Sequence, residues 1–323
     1  MLNNPGKIST DDSGPDFSQA VARNGYAWWY VDALSDDGRH GLTIIAMIGS
    51  VFSPYYARAR RRGAGDPENH CGLNVALYGR AGKRWALTER GRGALARSER
   101  ELTIGPSRVQ WDGTDLRIDI DEVTVPIPSR LRGTVRLSPT ATTRETFMLA
   151  EHGRHRWRPI APFSRVAVEM ERPELRWSGH GYFDWNSGEG PLEEGFSRWH
   201  WSRASSADGT TIFYDGDRRR EGAFSLALNI APDGTTRRIE APPTATLPTT
   251  PIWRIARVTR SEPAPQAKVI ETCEDTPFYA RSIAEISVGG RPIRAMHESL
   301  SLDRFDTRWV QCLLPFRMPR FGG

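Results

Sequence analysis

Short turn motifs divide this chain into runs of alternating apolar and polar residues, and this pattern constrains its fold more than any other feature. Three of these motifs are typical of β-hairpins: Asp112-Gly113 between 109–111 and 116–120, Pro232-Asp233-Gly234 between 224–230 and 237–239, and Gly289-Gly290 between 283–288 and 292–302. The 30 glycines and 23 prolines supply further turns at short spacing. The sequence therefore predicts an all-β protein built from antiparallel barrels or sandwiches.

Helical patterns are scarce, and residues 57–62 and 278–283 are the stretches for which we predict short helices. The longest apolar run, 41–52, is too short to span a membrane and is rich in β-branched residues, so it predicts a buried strand. Residues 188–195, Gly-Glu-Gly-Pro-Leu-Glu-Glu-Gly, interrupt the chain near its midpoint. We therefore place a boundary between an N-terminal domain, 1–188, and a C-terminal domain, 189–323. The proline-rich stretch 241–251 is either a linker or a long loop of the second domain.

Charge and cysteine usage exclude several classes of protein. The net charge is +5, and basic runs at 58–62 and 218–220 are interpreted first as solvated faces and second as contacts to an anionic membrane surface. No nucleic-acid recognition motif accompanies them, so no nucleic-acid partner is expected. Cys71, Cys273 and Cys312 are odd in number and widely spaced, which predicts reduced, mostly buried thiols. The first twenty residues lack the apolar core of a signal peptide, so we expect a cytoplasmic protein.

Six stretches of the sequence, in the same order, resemble the carotenoid 1,2-hydratases (hydroxyneurosporene synthases) of phototrophic bacteria. They are 35–46 (SDDGRHGLTIIA), 49–56 (GSVFSPYY), 66–71 (DPENHC), 153–162 (GRHRWRPIAP), 179–184 (GHGYFD) and 199–204 (WHWSRA). The likeness extends from about Tyr26 to about Tyr214. One departure is Trp185-Asn186, where the resemblance leads us to expect a smaller residue before the asparagine.

The resemblance implies both a fold and an activity. Proteins of this family resemble two tandem lipocalin-like antiparallel barrels, which agrees with the all-β prediction. The implied activity is the addition of water to the terminal C1=C2 double bond of an acyclic carotenoid, with no cofactor. The implied partners are the carotenoid and water. Because such a substrate partitions into lipid, we expect peripheral attachment to an anionic membrane, with Tyr55-Tyr56 beside the basic run 58–62 as its surface. The sequence leaves the oligomeric state open.

Hydration of a trisubstituted alkene requires a proton donor in an apolar pocket, and Asp184 is the candidate. In an extended segment His180, Tyr182 and Asp184 share one face, so Tyr182 or His180 can orient the proton. Burial in an apolar barrel would raise the pKa of Asp184 and keep it protonated near neutral pH. For an isolated aspartate, a role in stabilising a turn is the more common alternative; the resemblance favours the acid.

His155 and Trp157 also lie two residues apart, so they point the same way on a strand. The functional interpretation makes His155 the acceptor of a proton from the attacking water, and Trp157 a π-face that stabilises the cation. Without the resemblance, a surface histidine beside a core tryptophan would be favoured. His152 and His155 could form a metal-binding pair, but no third ligand follows at a suitable spacing, so we predict no metal site.

The aromatic residues Trp185, Trp199 and Trp201 are predicted, with His180, to bind the substrate. Paired tryptophans on one strand face are more often plain core, and that alternative stays open for Trp199 and Trp201. Two other functions also stay open: a lipocalin-like carrier of an apolar ligand, and an enzyme that cyclises or isomerises a polyene through a similar cation.

Overall fold

The computed structural model describes residues 14–79, 82–150 and 154–320, and most of these residues lie in β-strands. Twelve strands form the first sheet: β1 Tyr26–Ser35, β2 His40–Ile48, β3 Cys71–Gly79, β4 Arg84–Ala86, β5 Leu95–Arg97, β6 Glu101–Ile104, β7 Ser107–Trp111, β8 Leu116–Val123, β9 Arg130–Pro139, β10 Phe147–Met148, β11 His155–Arg172 and β12 Leu175–Gly188. The strand order is β4-β3-β2-β1-β12-β11-β9-β8-β7-β6-β5, with β10 beside β11. All of these pairings are antiparallel, and the sheet curls into a half-barrel around an apolar core.

A second antiparallel sheet follows in the chain. Its seven strands, in the order β16-β15-β14-β13-β21-β20-β19, are β13 Phe196–Ser206, β14 Gly209–Arg218, β15 Gly222–Ile230, β16 Thr236–Arg238, β19 Lys268–Asp275, β20 Tyr279–Val288 and β21 Arg291–Ser301. A separate pair consists of β17 Thr244–Leu247 and β18 Arg257–Arg260. The first sheet therefore uses residues 26–188 and the second residues 196–301. The predicted all-β, lipocalin-like fold with few helices is confirmed.

The three predicted hairpins are present. Trp111 pairs with Leu116 across the first turn, and β15 pairs with β16 across the second. Val288 pairs with Arg291 across Gly289-Gly290. The apolar run 41–52 forms most of β2, as predicted, whereas 241–251 contains β17 and is not a plain linker.

Helices are short and few among the described residues. They are α1 Pro54–Arg61, α2 Leu192–Gly195, α3 Leu302–Phe305 and α4 Arg308–Leu313, with one-turn 3-10 segments that include Leu314–Phe316. The helix predicted at 57–62 is confirmed as part of α1, where the Ser53 side chain accepts a hydrogen bond from the backbone N–H of Tyr56. The helix predicted at 278–283 is wrong. This stretch enters β20, because pairing with β19 and β21 on both sides outweighs its weak helical pattern.

The two sheets meet through a second apolar core, which contains aromatic residues from both. Tyr30 and Tyr182 of the first sheet pack against Trp201 of the second, with ring centroids 5.3–5.5 Å apart. A buried ion pair between Asp32 on β1 and Arg203 on β13 also links the sheets. The candidate site lies at this junction.

Candidate active site

The side chain of Asp184 is held by three hydrogen-bond donors inside the junction of the two sheets. The alternation of β12 places Tyr182, Asp184 and Asn186 on one face. The Tyr182 hydroxyl and the indole Nε1 of Trp157, on the neighbouring β11, each donate to Oδ2 of Asp184 at 2.8 Å. The Asn186 amide lies 3.2 Å from Oδ1. These contacts fix the orientation of a carboxyl group that is only 3% exposed.

Burial raises the pKa of Asp184 to about 8, although the hydrogen bonds from Trp157 and Tyr182 act in the opposite direction. The charge of Glu298 adds to the rise. At this pKa, most of the Asp184 side chains are protonated at pH 7. Because Oδ2 already accepts two hydrogen bonds, Oδ1 is the oxygen that can carry the proton.

A small cavity lies against Asp184. Its volume is about 30 Å³, and a water molecule needs roughly 15 Å³ by the same measure. The cavity is lined by Trp28, Tyr30, Asp184, Asn186, Trp199, Trp201, Tyr214 and Glu298. It therefore has room for a water molecule between two carboxyl groups and several aromatic rings.

A larger, mostly apolar cavity of about 160 Å³ adjoins the small one. The two cavities share Trp28, Tyr30, Trp199 and Glu298 as walls. The outer part is lined by apolar side chains that include Ile45, Met47, Phe52, Trp85, Leu87, Phe278, Leu300, Leu313, Leu314 and Met318. An apolar chain that enters this cavity would reach Asp184 only at its inner end.

Glu298 of β21 occupies the boundary between the two cavities and is held by a polar network. Its Oε1 accepts a hydrogen bond from the Tyr30 hydroxyl at 2.8 Å and from Nε and Nη2 of Arg281 at 2.9 and 2.7 Å. The guanidinium also donates to Glu274 and to the Tyr78 hydroxyl, each at 2.6 Å. The site thus places the carboxyl groups of Asp184 and Glu298 on the same small cavity.

His155 is buried beside this site but does not line either of the two cavities. Its Nδ1 lies 2.9 Å from the Tyr26 hydroxyl, and its ring packs edge-on against Phe196. Burial lowers the pKa of His155 to about 4, so the imidazole is neutral. Tyr26 in turn stacks on Trp28, with ring centroids 4.7 Å apart. His155 therefore contacts the cavity wall through Tyr26.

The other predicted site residues fall into two groups. Trp157, Tyr182, Trp199 and Trp201 are buried in the junction together with Asp184. Trp199 lines both cavities and Trp201 lines the small one, whereas Trp157 meets Asp184 through its N–H.

His180 and Trp185 lie elsewhere. His180 is four residues from Asp184, or about 13 Å along a strand, and its side chain is 47% exposed, 3.8 Å from Asp36. Trp185 points to the opposite face of β12 and packs in the core of the first sheet. His180 does lie on the same face of β12 as Tyr182 and Asp184, as the alternation predicts. The second sheet, however, covers only the end of β12 that carries Tyr182 and Asp184, so His180 is left exposed.

Four residues that line the small cavity were not predicted from the sequence: Trp28, Tyr30, Tyr214 and Glu298. Trp28 and Tyr30 alternate on β1 within the run Trp28-Trp29-Tyr30, and this clustering of aromatics was an available signal. Glu298 follows an ordinary strand pattern in the last third of the chain. Nothing in its local sequence distinguishes it, because it reaches the site only through the pairing of β21 with β13.

His152, one half of the metal pair considered above, lies outside the described residues. Within 14–79, 82–150 and 154–320, no group of three His, Cys, Asp or Glu side chains is arranged to hold a metal ion. In the same part of the chain, no helix has both the length and the apolar character needed to cross a bilayer.

Comparison with known proteins assigns the family. Residues 44–323 match the model of the family described as carotenoid hydratase CrtC. The chain belongs to the carotenoid hydratase CrtC family. The acyclic carotenoid 1,2-hydratase of Thiocapsa roseopersicina is 58% identical over 310 residues, which cover 96% of this chain and 76% of that protein. The protein of the same description from Rubrivivax gelatinosus is 53% identical over 309 residues, covering 95% and 76%. This member of the CrtC family is therefore a hydratase, a hydro-lyase.

Solved structures support the fold of this CrtC family member. A protein described as AttH from Nitrosomonas europaea superposes with a TM-score of 0.57 at 15% identity and covers 92% of this chain and 98% of its own. Kievitone hydratase from Nectria haematococca has a TM-score of 0.54 at 9% identity and covers 91% and 99%. At such low identity the likeness concerns the fold alone.

Proposed function

We propose that this protein adds water across the terminal C1=C2 double bond of an acyclic carotenoid such as neurosporene or lycopene and forms a tertiary alcohol. One observation carries the proposal: Asp184, a buried carboxyl group with a raised pKa, lines a small cavity that is walled by aromatic rings and adjoins a larger apolar cavity. An apolar carrier would have no reason to keep a carboxyl group there, because its desolvation costs free energy.

The first step is protonation of C2. The proton on Oδ1 of Asp184 transfers to the alkene, the π electrons form the new C–H bond, and a tertiary cation remains at C1. The hydrogen bonds from Trp157 and Tyr182 to Oδ2 stabilise the carboxylate that forms. These two residues therefore make Asp184 a stronger donor than burial alone would allow.

The cation at C1 is stabilised by the rings around it. Trp199, Trp201 and Tyr214 line the small cavity with their faces or edges. A cation over a desolvated aromatic face gains about 1–2 kcal/mol. The carboxyl group of Glu298 lines the same cavity.

Water in the small cavity then attacks C1, and the resulting oxonium ion loses a proton. Glu298 lines that cavity, so we assign it as the acceptor; a water molecule between Glu298 and Asp184 returns the proton and regenerates the starting state. The overall reaction consumes only alkene and water. His155, the acceptor predicted from sequence, is assigned a positioning role through Tyr26.

Labelling tests the reaction as a whole. The purified protein is incubated with lycopene or neurosporene in detergent micelles, in heavy water and in ¹⁸O-labelled water, and the pigment is analysed by mass spectrometry. We expect one deuterium at C2 and the labelled oxygen at C1. Asp184→Asn, which keeps the shape of the side chain, should lose activity by about 10²–10⁴-fold while remaining folded. Pigment that is bound but unchanged would indicate a carrier, and oxygen derived from O₂ would indicate an oxygenase.

Three variants at two residues distinguish the proposed proton acceptors. Glu298→Gln keeps acceptor atoms for Tyr30 and Arg281 but cannot take a proton, so kcat should fall by about a hundredfold or more. His155→Ala should also lower activity, because Tyr26 loses its partner, whereas His155→Gln restores a hydrogen-bond partner and should recover most of it. A Glu298→Gln enzyme of normal kcat, or a His155→Gln enzyme as slow as His155→Ala, would return the acceptor role to His155.

A further inference from the structure

The mouth of the apolar cavity is surrounded by exposed apolar side chains. Eight large hydrophobic residues are exposed in the described part of the chain. Five of them are connected to the cavity opening by the cavity and groove linings, a ring contact and the turn after α4. We call these five, Ile127, Ile252, Trp309, Leu313 and Phe316, together with the basic residues Lys83, Arg84, Arg308 and Arg317, the mouth face. Ile127, Ile252 and Phe316 are 81%, 74% and 72% exposed, which is unusual for such side chains.

Shared neighbours show that the mouth face is continuous. Arg317 lines both the apolar cavity and an adjacent surface groove, and that groove is lined by Ile127, Ile252, Lys83 and Arg84 as well. Leu313 of α4 lines the cavity and is 39% exposed, so it lies at the opening.

Trp309 and Phe316 are connected to the rest of the mouth face through α4 and the 3-10 turn that follows it. Trp309 stacks on Trp253, next to Ile252, with ring centroids 5.8 Å apart. Phe316 precedes Arg317 in the 3-10 turn Leu314–Phe316.

The charges of this face are mostly positive. Lys83, Arg308 and Arg317 are exposed. The nearby acidic groups are already engaged: Glu274 accepts from Arg281, and Asp275 accepts from the backbone N–H groups of Ile252 and Trp253. An apolar surface flanked by arginine and lysine is complementary to the interface of an anionic bilayer.

We propose that the mouth face docks on an anionic lipid bilayer, with Trp309 and Phe316 inserted beside the lipid head groups, so that a substrate passes from the membrane into the cavity without crossing water. The proposal rests on the proposed function for the nature of the substrate, but the surface itself is defined by the structure. It replaces the surface predicted from sequence: Tyr56 is fully buried in α1 and donates its hydroxyl to the Gly25 carbonyl, so it is not available to lipid.

The chain has one exposed cysteine that can be labelled to follow contact between the mouth face and a bilayer. Cys312 lies on α4 between Trp309 and Leu313 and is exposed, whereas Cys71 and Cys273 are buried. Burial also raises the pKa of each of these two thiols to about 12, so they react slowly. An environment-sensitive dye can therefore be attached at Cys312 alone.

The experiment titrates the labelled protein with vesicles of phosphatidylcholine and phosphatidylglycerol in equal parts. Docking predicts a blue shift and a gain in dye emission, which weaken as salt increases. The double variant Trp309→Asp/Phe316→Asp should lower vesicle partitioning by about tenfold or more. Met148→Asp is the control: Met148 lies on β10 and is 60% exposed, between the values of Trp309 and Phe316, and this variant should bind as the unchanged protein does. If the double variant misfolds by circular dichroism, Ile127→Asp/Ile252→Asp tests the other side of the mouth face.

Hydration assays separate this proposal from the proposed function. The double variant should keep full activity on substrate in detergent micelles and lose it on substrate in vesicles. Vesicle binding by a protein that hydrates nothing in micelles would leave docking intact and overturn the proposed function. An unchanged dye spectrum, equal binding by the double variant, or a dimer in ultracentrifugation that Trp309→Asp/Phe316→Asp dissociates would overturn docking.

Discussion

At the scale of single residues, the site depends on one carboxyl group whose protonation is set by its surroundings. Asp184 is neutral below its pKa of about 8 and ionises as the pH rises through that value. The proposed mechanism uses the neutral form, so activity should fall about tenfold per pH unit above pH 8. The hydrogen bonds to Oδ2 favour the carboxylate and hold this pKa lower than burial alone would set it.

Removing either donor should therefore move the alkaline limb of the pH–rate profile upward. Trp157→Phe and Tyr182→Phe each delete one hydrogen bond to Oδ2 of Asp184 and keep an aromatic ring. The measurement is kcat against pH for each variant. Tyr214→Phe, which changes a cavity residue that does not bond to Asp184, should leave the limb in place. A limb that stays fixed or moves downward in the first two variants would contradict the assigned role of these donors.

The same geometry refines the role predicted for Trp157. Trp157 was predicted to offer a π-face to the cation, but its Nε1 donates a hydrogen bond to Asp184 and its ring packs edge-on against Tyr214. The alternation of a strand predicts which face a side chain lies on but not where the indole N–H points. The proposed role of Trp157 therefore depends on its hydrogen bond to Asp184. The tryptophans that line the small cavity are Trp28 of β1 and Trp199 and Trp201 of β13.

At the scale of elements, turn chemistry specifies the hairpins. Gly289 and Gly290 have φ values of 61° and 73°, in the left-handed region, and they join β20 to β21 in a two-residue turn. A Cβ added at either position would meet no neighbouring atom, so any cost of substitution comes from the backbone alone. Because β21 carries Glu298, this turn also fixes the register of a residue at the site.

Gly289→Val should therefore destabilise the protein by about 1–2 kcal/mol, because a β-branched residue disfavours positive φ. Gly289→Asn, which tolerates this conformation, is the control and should cost only a few tenths of a kcal/mol. Urea unfolding at equilibrium gives both values. Equal destabilisation by Val and Asn would mean that the turn adopts a different conformation.

At the scale of the whole molecule, the two sheets are linked by a buried ion pair. Oδ1 of Asp32 accepts two hydrogen bonds from the Arg203 guanidinium, and both side chains are almost completely shielded from solvent. Burial raises the pKa of Asp32, while the charge of Arg203 opposes the rise. Asp32 lies two residues after Tyr30 on β1, so the ion pair holds β1 and β13 together beside the site.

Removing one partner should be much worse than removing both. Arg203→Met leaves a buried carboxylate without its counter-charge and should cost about 3–5 kcal/mol. Asp32→Asn/Arg203→Met removes both charges and should recover most of that loss. Thermal or urea unfolding of the two variants provides the comparison. A double variant no more stable than Arg203→Met would show that the packing of Arg203, rather than its charge, links the sheets.

The sequence by itself determined the local features of this protein. Turn residues and period-two alternation predicted the hairpins and the all-β class, because both depend only on neighbours along the chain. The same alternation placed Tyr182 and Asp184 on one face, and the family resemblance identified Asp184, His155, Trp157 and Tyr182 as the candidate site.

The tertiary structure alone decided which residues meet. Glu298 and Tyr30 are 268 positions apart yet share a hydrogen bond. Trp199 of β13 lines the same small cavity as residues of β1 and β12. In the folded protein His180 lies at the surface and Trp185 packs in a separate core, because the second sheet covers only one end and one face of β12. Such contacts depend on how two sheets pack face to face, which no pattern within a single strand encodes.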